Sequence, residues 1–404
     1  MAPIIHPARI NMAQITDLPQ ELFDQIAFEA SNSNRKRGTN PEVLQNLRQV
    51  NRAFYASASR LYYRSIQVGL KFNLDRQNLV PASLDALSMS QHRNHVENLV
   101  IHQSGPLFQP SDMKALVQRK EDALGSKEDA GTLVMKDMEA LVLEKIPEVL
   151  ARFPRLRQID ISLDLAGCEM PGLATAIRKS LQQNPPPQLE GLRIGLRPLA
   201  LPYSPNTQPE LKEVMPRLRY FKYDGSTERS EESNPGVFQA LQHAEKLEIL
   251  TLHKCGSVTT QSLTPIHPSA PLRYLYLDDM SLPAEYICGL LKSRPTLEVI
   301  KLNSIRLTEG TWAKVLDQLV TCPAAFEVDI KHCAYVDSQW SQPKAAICTS
   351  VENVEDVHAF RRFTKWKKER RGELEKTKML ALLEHANNLN RRHFHPGGYL
   401  MLRT

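Results

Sequence analysis

The sequence predicts an α/β chain: a short all-α module near the N-terminus, then an irregular solenoid with parallel strands on its concave side and helices on its convex side. Three observations predict it. Between residues 18 and 63, apolar residues recur at helical spacing. From residue 96 onward a ten-residue kernel recurs, with apolar residues at its first, fourth and sixth places and a Cys, Ser, Asn or small apolar residue near the ninth. Between kernels lie helical segments such as 283–291 and 312–320, and prolines (Pro154, Pro187, Pro216, Pro271, Pro295, Pro323) sit just before kernels, where they stop a returning helix.

Composition narrows the function classes. The chain has 404 residues, 42% hydrophobic and 24% charged, which suits two or three compact units. No apolar run near the N-terminus is long enough for a signal peptide, and no stretch approaches the ~20 apolar residues of a membrane span. The expectation is an intracellular chain, in cytoplasm or nucleus, without membrane association. Cys168, Cys255, Cys288, Cys322, Cys333 and Cys348 are scattered with no Cys-x-x-Cys pair, which points to buried thiols in a reducing compartment rather than disulfides or a zinc site. The formal net charge is +6, and residues 355–404 hold 12 Lys/Arg against 6 Asp/Glu, so the tail carries the whole excess. That is not a global nucleic-acid-binding composition.

Residues 1–14 read as a flexible N-terminus. A helix follows, with Asp17 as its cap and Pro19 tolerated in its first turn because a missing N–H there has no partner to lose. Leu18, Leu22, Ile26 and Ala30 recur every four residues with Phe23 beside them, which predicts one apolar face. The stretch from Ser31 to Glu42 reads as a loop. Leu44, Leu47, Val50 and Phe54 predict a second helix, Ser57 to Tyr63 a third, and Ser65 to Val68 a strand. Three short helices make a small core that needs a partner or a neighbouring unit.

The kernels start at 96, 156, 189, 218, 247, 272, 297 and 325, at intervals of 60, 33, 29, 29, 25, 25 and 28. Tyr63, Ile66 and Val68 stand in the same register, 33 residues before Val96, so the helical module is expected to feed straight into a first strand. The long interval marks an insertion near 104–150. There Met138, Leu141, Leu143 and Ile146 fit both the kernel and a helix, and a helix ending or restarting at Pro147 is preferred. Arg197 to Pro209 reads as a proline-rich loop, and the segment 341–404 as a basic, largely helical cap or tail.

Leu18-Pro19-x-Glu21-Leu22-x-x-x-Ile26, then Leu47-Arg48-x-Val50-Asn51-Arg52-x-Phe54, then Leu61-Tyr62-Tyr63-Arg64-Ser65-Ile66, resembles the F-box in the form common in fungal proteins. The match covers residues 15–68. The kernel spacing, at or just above ~20–29 residues, resembles leucine-rich repeats over residues 69–340, and LTLHKCGSVTTQSL is most similar to the cysteine-containing type. The resemblance implies a substrate-recognition adaptor of a Skp–cullin–F-box ubiquitin ligase. Leu18, Pro19, Leu22, Ile26, Leu47, Val50, Asn51 and Phe54 would partly pack internally and partly insert into a Skp-type adaptor, and through it reach a cullin. The chain is expected to be monomeric within that complex. The plainer reading of the same residues is a small helical core.

Kernel places three, five and seven point away from the core and form the candidate surface for a target protein. They include Gln158, Asp160, Ser162, Arg193, Asp224, Thr251, Asp329 and Lys331. The residues singled out are Tyr220, Lys222, His253, Tyr274, Tyr276, Asp278, Lys301 and Asn303, with the tyrosines foremost because amphipathic rings bury area at low entropic cost. No phosphate loop, nucleophile elbow or His-Glu-x-x-His motif is found, so no enzyme and no cofactor is expected. His393 and His395 read as loop histidines, and Cys255 and Cys333 as buried structural thiols. The rival readings are a repeat scaffold with no ubiquitin-ligase role, and nucleic-acid binding through the basic tail around Arg361 to Arg371, which includes Phe363 and Trp366.

Overall fold

The computed structural model describes residues 18–32, 40–69, 82–102, most of 114–122, 127–164, 180–197, 211–225, 235–257, 266–335 except 293 and 326, and 354–388. Residues 1–14, expected to be flexible, Asp17, most of the loop expected from Ser31 to Glu42, the segment 198–209, Cys168, Cys348, His393 and His395 lie outside the described residues.

The chain begins with three helices, α1 (Gln20–Asn32), α2 (Pro41–Leu47) and α3 (Arg52–Arg64). The single helix expected from Leu44 to Phe54 is two. The Asn51 side chain accepts the Phe54 amide at 2.9 Å and starts α3, so residues 48–50 form a turn instead. Asn40 caps α2 in the same way, accepting the Glu42 amide at 3.0 Å, with Pro41 in the first turn.

Helix α3 runs directly into β1 (Ser65–Gly69), and α4 (Ala82–Met89) and a 3-10 turn (Gln91–His95) lead to β2 (Asn98–His102). The remaining elements are α5 (Lys127–Ala151), β3 (Gln158–Asp164), β4 (Gly191–Arg197), β5 (Tyr220–Gly225), α6 (Pro235–Leu241), β6 (Ile249–Ser257), β7 (Tyr274–Leu282), α7 (Ala284–Leu291), β8 (Val299–Leu307), α8 (Trp312–Val320), β9 (Glu327–Lys331), β10 (Ala334–Tyr335) and α9 (Val354–Asn388). Among the described residues the ten strands form one sheet, and every pairing is parallel. Each strand from β1 to β8 lies beside its predecessor in sequence, while β9 and β10 both pair with β8.

The register follows the kernel at every step. Place four aligns as Ile66, Leu99, Ile159, Leu192, Phe221, Leu250, Leu275, Ile300 and Val328 across successive strands. Place six aligns from Val68 to Ile330, and all of that row is buried. A one-residue slip would turn both rows to solvent, so burial alone specifies the pairing. No strand separates β2 from β3. The 138–146 stretch lies in α5, which runs through Pro147 to Ala151 instead of ending there.

Places eight and nine explain how the chain leaves each later strand. Lys254, Asp279, Ser304 and His332, all at place eight, have φ between 50° and 53°. That left-handed residue swings the next side chain inward, and Cys255, Met280, Ile305 and Cys333 are buried there. Gly225, at the same place on β5, is required for a different reason: a Cβ there would sit 2.5 Å from the Lys254 carbonyl oxygen.

Place two carries a regularity that the sequence reading passed over. It reads Arg64, Glu97, Arg157, Glu190, Arg219, Glu248, Arg273, Glu298, alternating in sign through eight units. Its carbonyls form a ladder, those from Glu97 to Arg273 each accepting two amides from the next unit, as Glu248 O accepts from Arg273 at 2.8 Å and Tyr274 at 3.0 Å. Ion pairs join Arg64 to Glu97 at 2.9 Å, Arg219 to Glu248 at 2.8 Å and Arg273 to Glu298 at 2.7 Å.

One hydrophobic core runs from Val68 to Phe363 beneath the sheet. Phe23, Ala27, Leu44, Phe54 and Ala58 are buried too, but they form a separate small core among α1, α2 and α3. The Tyr63 ring stacks on His92, in the 3-10 turn before β2, at 4.0 Å and ties that unit to the rest of the chain, while within the unit the Arg48 guanidinium lies over Tyr55, Tyr62 and Tyr63 at 5.1, 5.4 and 5.2 Å. No helix among the described residues is long and apolar enough to cross a membrane.

Candidate functional site

Two surfaces hold the residues that the sequence singled out. The first is the outer side of α1. Its inward side packs Phe23 edge-to-face on Phe54, with centroids 4.8 Å apart, beside Ala27 and the buried Ser31. This packing leaves part of the expected apolar face outward: Leu22 is 42% exposed and Ile26 39%. With Gln25, Glu29 and Ala30 they line a shallow apolar hollow. Val50, in the turn before α3, is 60% exposed, and Pro19 is exposed as well. Leu18 and Leu47 are half-buried, Asn51 is the cap of α3, and Phe54 belongs to the small core. The eight residues therefore divide into outward apolar positions and structural ones.

The second surface is the sheet face formed by places three, five and seven, opposite the core. It is half-buried and highly interconnected. Arg193 Nη1 donates to Asp160 Oδ2 at 3.0 Å. His253 faces a carboxylate with each ring nitrogen: Nδ1 lies 2.7 Å from Asp224 Oδ1, and Nε2 lies 3.5 Å from Asp278 Oδ2. Asp278 also accepts the Tyr276 hydroxyl at 2.8 Å and the Asn303 amide at 2.6 Å. The Lys301 ammonium sits 5.7 Å from the Tyr274 ring centroid and pairs with Glu327 at 2.9 Å. Lys331 pairs with Asp329 at 2.6 Å. All eight singled-out residues thus lie on one face, but Tyr274 and Tyr276 are already engaged by its polar groups.

The electrostatics follow from this crowding. Burial works to raise the Asp224 carboxyl, but the hydrogen bond and charge of His253, helped by Lys222 and Arg193, hold it below the usual carboxylate value. Asp160 goes the other way: burial raises it, and Arg193 offsets that only in part. Burial and then the Arg193 charge lower Lys222, against the pull of Asp224, Asp160 and Asp278. Burial and the bond to Asp278 push the Tyr276 hydroxyl up to about 12, so it remains a donor.

Asp160, Arg193 and Asp224 were only general face positions in the sequence reading. The missed signal is place seven, which reads Asp224, His253, Asp278 in adjacent units.

This arrangement orients polar groups for binding. Both ring nitrogens of His253 face carboxylates, and the Cys255 thiol donates only to the His253 backbone carbonyl, at 3.6 Å. Cys255 lies in the core, where burial pushes its thiol up. Among the described residues no group of three or more His, Cys, Asp or Glu is disposed to hold a metal ion.

The C-terminal helix packs as a cap over its first part. Ala359 and Phe363 are buried, Arg362 pairs with Asp317 on α8 at 2.7 Å, and Arg370 donates to the Pro323 carbonyl at 3.1 Å. Phe363 stacks near Trp366, with centroids 5.8 Å apart. No protein-family model matches the chain, and no curated protein sequence matches it either.

Proposed function

We propose that the chain is a non-catalytic adaptor: α1–α3 are an F-box that docks on the Skp-type subunit of a cullin ubiquitin ligase, and the strands are a leucine-rich-repeat solenoid that binds a target protein. One observation carries the reading. A three-helix unit with its own small core turns Leu22, Ile26 and Val50 to solvent and joins a one-directional ladder of parallel strands through β1. Apolar side chains left outside so small a core are suited to a partner's groove. Connection of that unit to a broad polar sheet face suits a part that holds and a part that recognises. Its action would be geometric, raising the effective concentration of a target near the ligase with no bond chemistry of its own.

Nucleic-acid binding through the tail has less support, because Arg362 and Arg370 are committed to contacts within the chain. The test is capture of a purified Skp-type adaptor by the full chain. The wild type is expected to hold it, and a Leu22→Asp/Ile26→Asp variant with unchanged thermal unfolding is expected to release it. Failure of the wild type to bind would leave a repeat scaffold without a ubiquitin-ligase role.

A further inference from the structure

The helical unit meets the rest of the chain at a cluster of rings. Helix α3 passes into β1 with no residue between them, and the Arg64–Glu97 ion pair beside that joint faces solvent, so it fastens little. The Tyr63 and His92 rings lie 4.0 Å apart and within 9° of parallel, and Tyr55 is tilted against the same imidazole at 6.5 Å. His95, one turn further along the 3-10 segment, stands 6.2 Å from His92, and both histidines are half-buried.

The groups that act on these two histidines are basic: Arg48 and His95 on His92, Arg60 and Arg155 on His95. The charged residues of α3 are Arg52, Arg60 and Arg64, and Arg93 in the 3-10 turn donates to the Ser88 carbonyl. Asp24 of α1, Asp85 of α4 and Glu97 ahead of β2 are each held by an arginine: Arg60 at 2.7 Å, Arg152 at 3.4 Å and Arg64 at 2.9 Å. A proton gained by His92 therefore meets cations and none of these carboxylates free. Cation–π attraction to Tyr63 does not offset this, because the Arg48 guanidinium already lies 5.2 Å from that ring's centroid.

We propose that the Tyr63–His92 stack is an acid-released fastening: protonation of His92 frees the α1–α3 unit from the 3-10 turn and lets it swing relative to the sheet about the α3–β1 joint. Partial burial, then Arg48 and His95, hold the His92 imidazole below its ordinary value. Partial burial, then Arg60 and Arg155, do the same for His95. The fastening is therefore complete above the ordinary histidine value of about 6.5 and is lost as pH falls through the lowered folded value. In the adaptor reading, the angle between the docking unit and the sheet face decides where a target is held, but the fastening stands without that reading.

The test uses the full chain at about pH 7.5 and about pH 5, with circular dichroism melts, small-angle scattering below the first transition, and NMR of labelled histidine and tyrosine. In the wild type the first transition, that of the helical unit, is expected to fall by about 4 °C or more at the lower pH. The distance distribution should broaden there, and the Tyr63 ring resonances should move in step with the titration of His92. His92→Phe keeps a ring for Tyr63 to stack on and takes no proton, so it is expected to lose most of the fall and the broadening. His95→Gln is expected to retain both. Because each variant is compared with itself at the two pH values, a change in its overall stability does not obscure the result. A wild type whose transition and scattering ignore pH, a His92→Phe variant that responds as fully as the wild type, a His95→Gln variant that does not respond, or a His92 that titrates at or above the ordinary value would each overturn the proposal.

Discussion

The Asp356 carboxylate accepts the backbone amide of Ala313 at 2.7 Å, across 43 positions of sequence, and both partners are buried. Asp356 lies in the first turn of α9 and Ala313 in the first turn of α8, so beside the Thr311 hydroxyl, which caps α8 at the Lys314 amide, one helix supplies a second acceptor for another's free amides. The second carboxylate oxygen accepts the Tyr335 hydroxyl at 2.5 Å, and that hydroxyl oxygen accepts the Trp312 amide at 3.0 Å. The basic C-terminal segment is thereby tied to the end of the sheet.

Asp356→Ala is expected to lower stability by about 2–3 kcal/mol, since it leaves a buried amide and a part-buried hydroxyl without this acceptor. Thermal unfolding measures this. Proteolysis should then cut first within 354–370, and a variant as resistant as the wild type would show that α9 is held by its apolar contacts alone.

The helical module separates packing from docking by position. Phe54→Ala opens a cavity against Phe23 and is expected to cost about 3–5 kcal/mol, more than a core of this size tolerates, so the module should melt before the sheet. Val50→Asp, at a site 60% exposed, is expected to change stability by less than about 0.5 kcal/mol. Circular dichroism melts with a resolved first transition distinguish the two.

Alternation at place two predicts a dependence on charge order. Glu248→Arg would put three arginines in a row, at 219, 248 and 273. The expected loss is about 1 kcal/mol at low salt, shrinking in 1 M salt because these groups face water. A loss independent of salt would mean that packing of the side-chain stem matters more than its charge.

The Asp224–His253 contact predicts an acid sensitivity with a definite sign. The folded-state pKa of Asp224 lies below its unfolded value, so its stabilising contribution is complete above the ordinary carboxylate value of about 3.9 and is lost as pH falls through the depressed folded value. The difference in unfolding temperature between wild type and Asp224→Asn should therefore be largest near neutrality and close as the pH falls below the ordinary carboxylate value. Asp160 has the opposite sign, because burial raises its pKa. Asp160→Asn should not reproduce that closing difference.

The sequence by itself determined the strands and their register. A period of two with apolar residues at places four and six admits one pairing that buries both rows, and Ile66 through Val328 take it. The place-two alternation was equally legible, because it too is a matter of spacing. Only the tertiary structure decided which apolar residues of α1 face outward. Leu22, Phe23, Ile26 and Ala27 are all compatible with an apolar stripe, and the edge-to-face contact with Phe54 turns Phe23 inward and leaves Leu22 and Ile26 outside. The same holds for the break at Asn51, where a local cap outweighs a continuous apolar period. It holds most for the polar face. Asp224, His253 and Asp278 lie 29 and 25 residues apart in sequence, and they meet because parallel stacking carries equivalent places to within hydrogen-bonding or ion-pair distance. Spacing can be read from one chain; which side chains satisfy each other depends on where the neighbouring strands bring their charges.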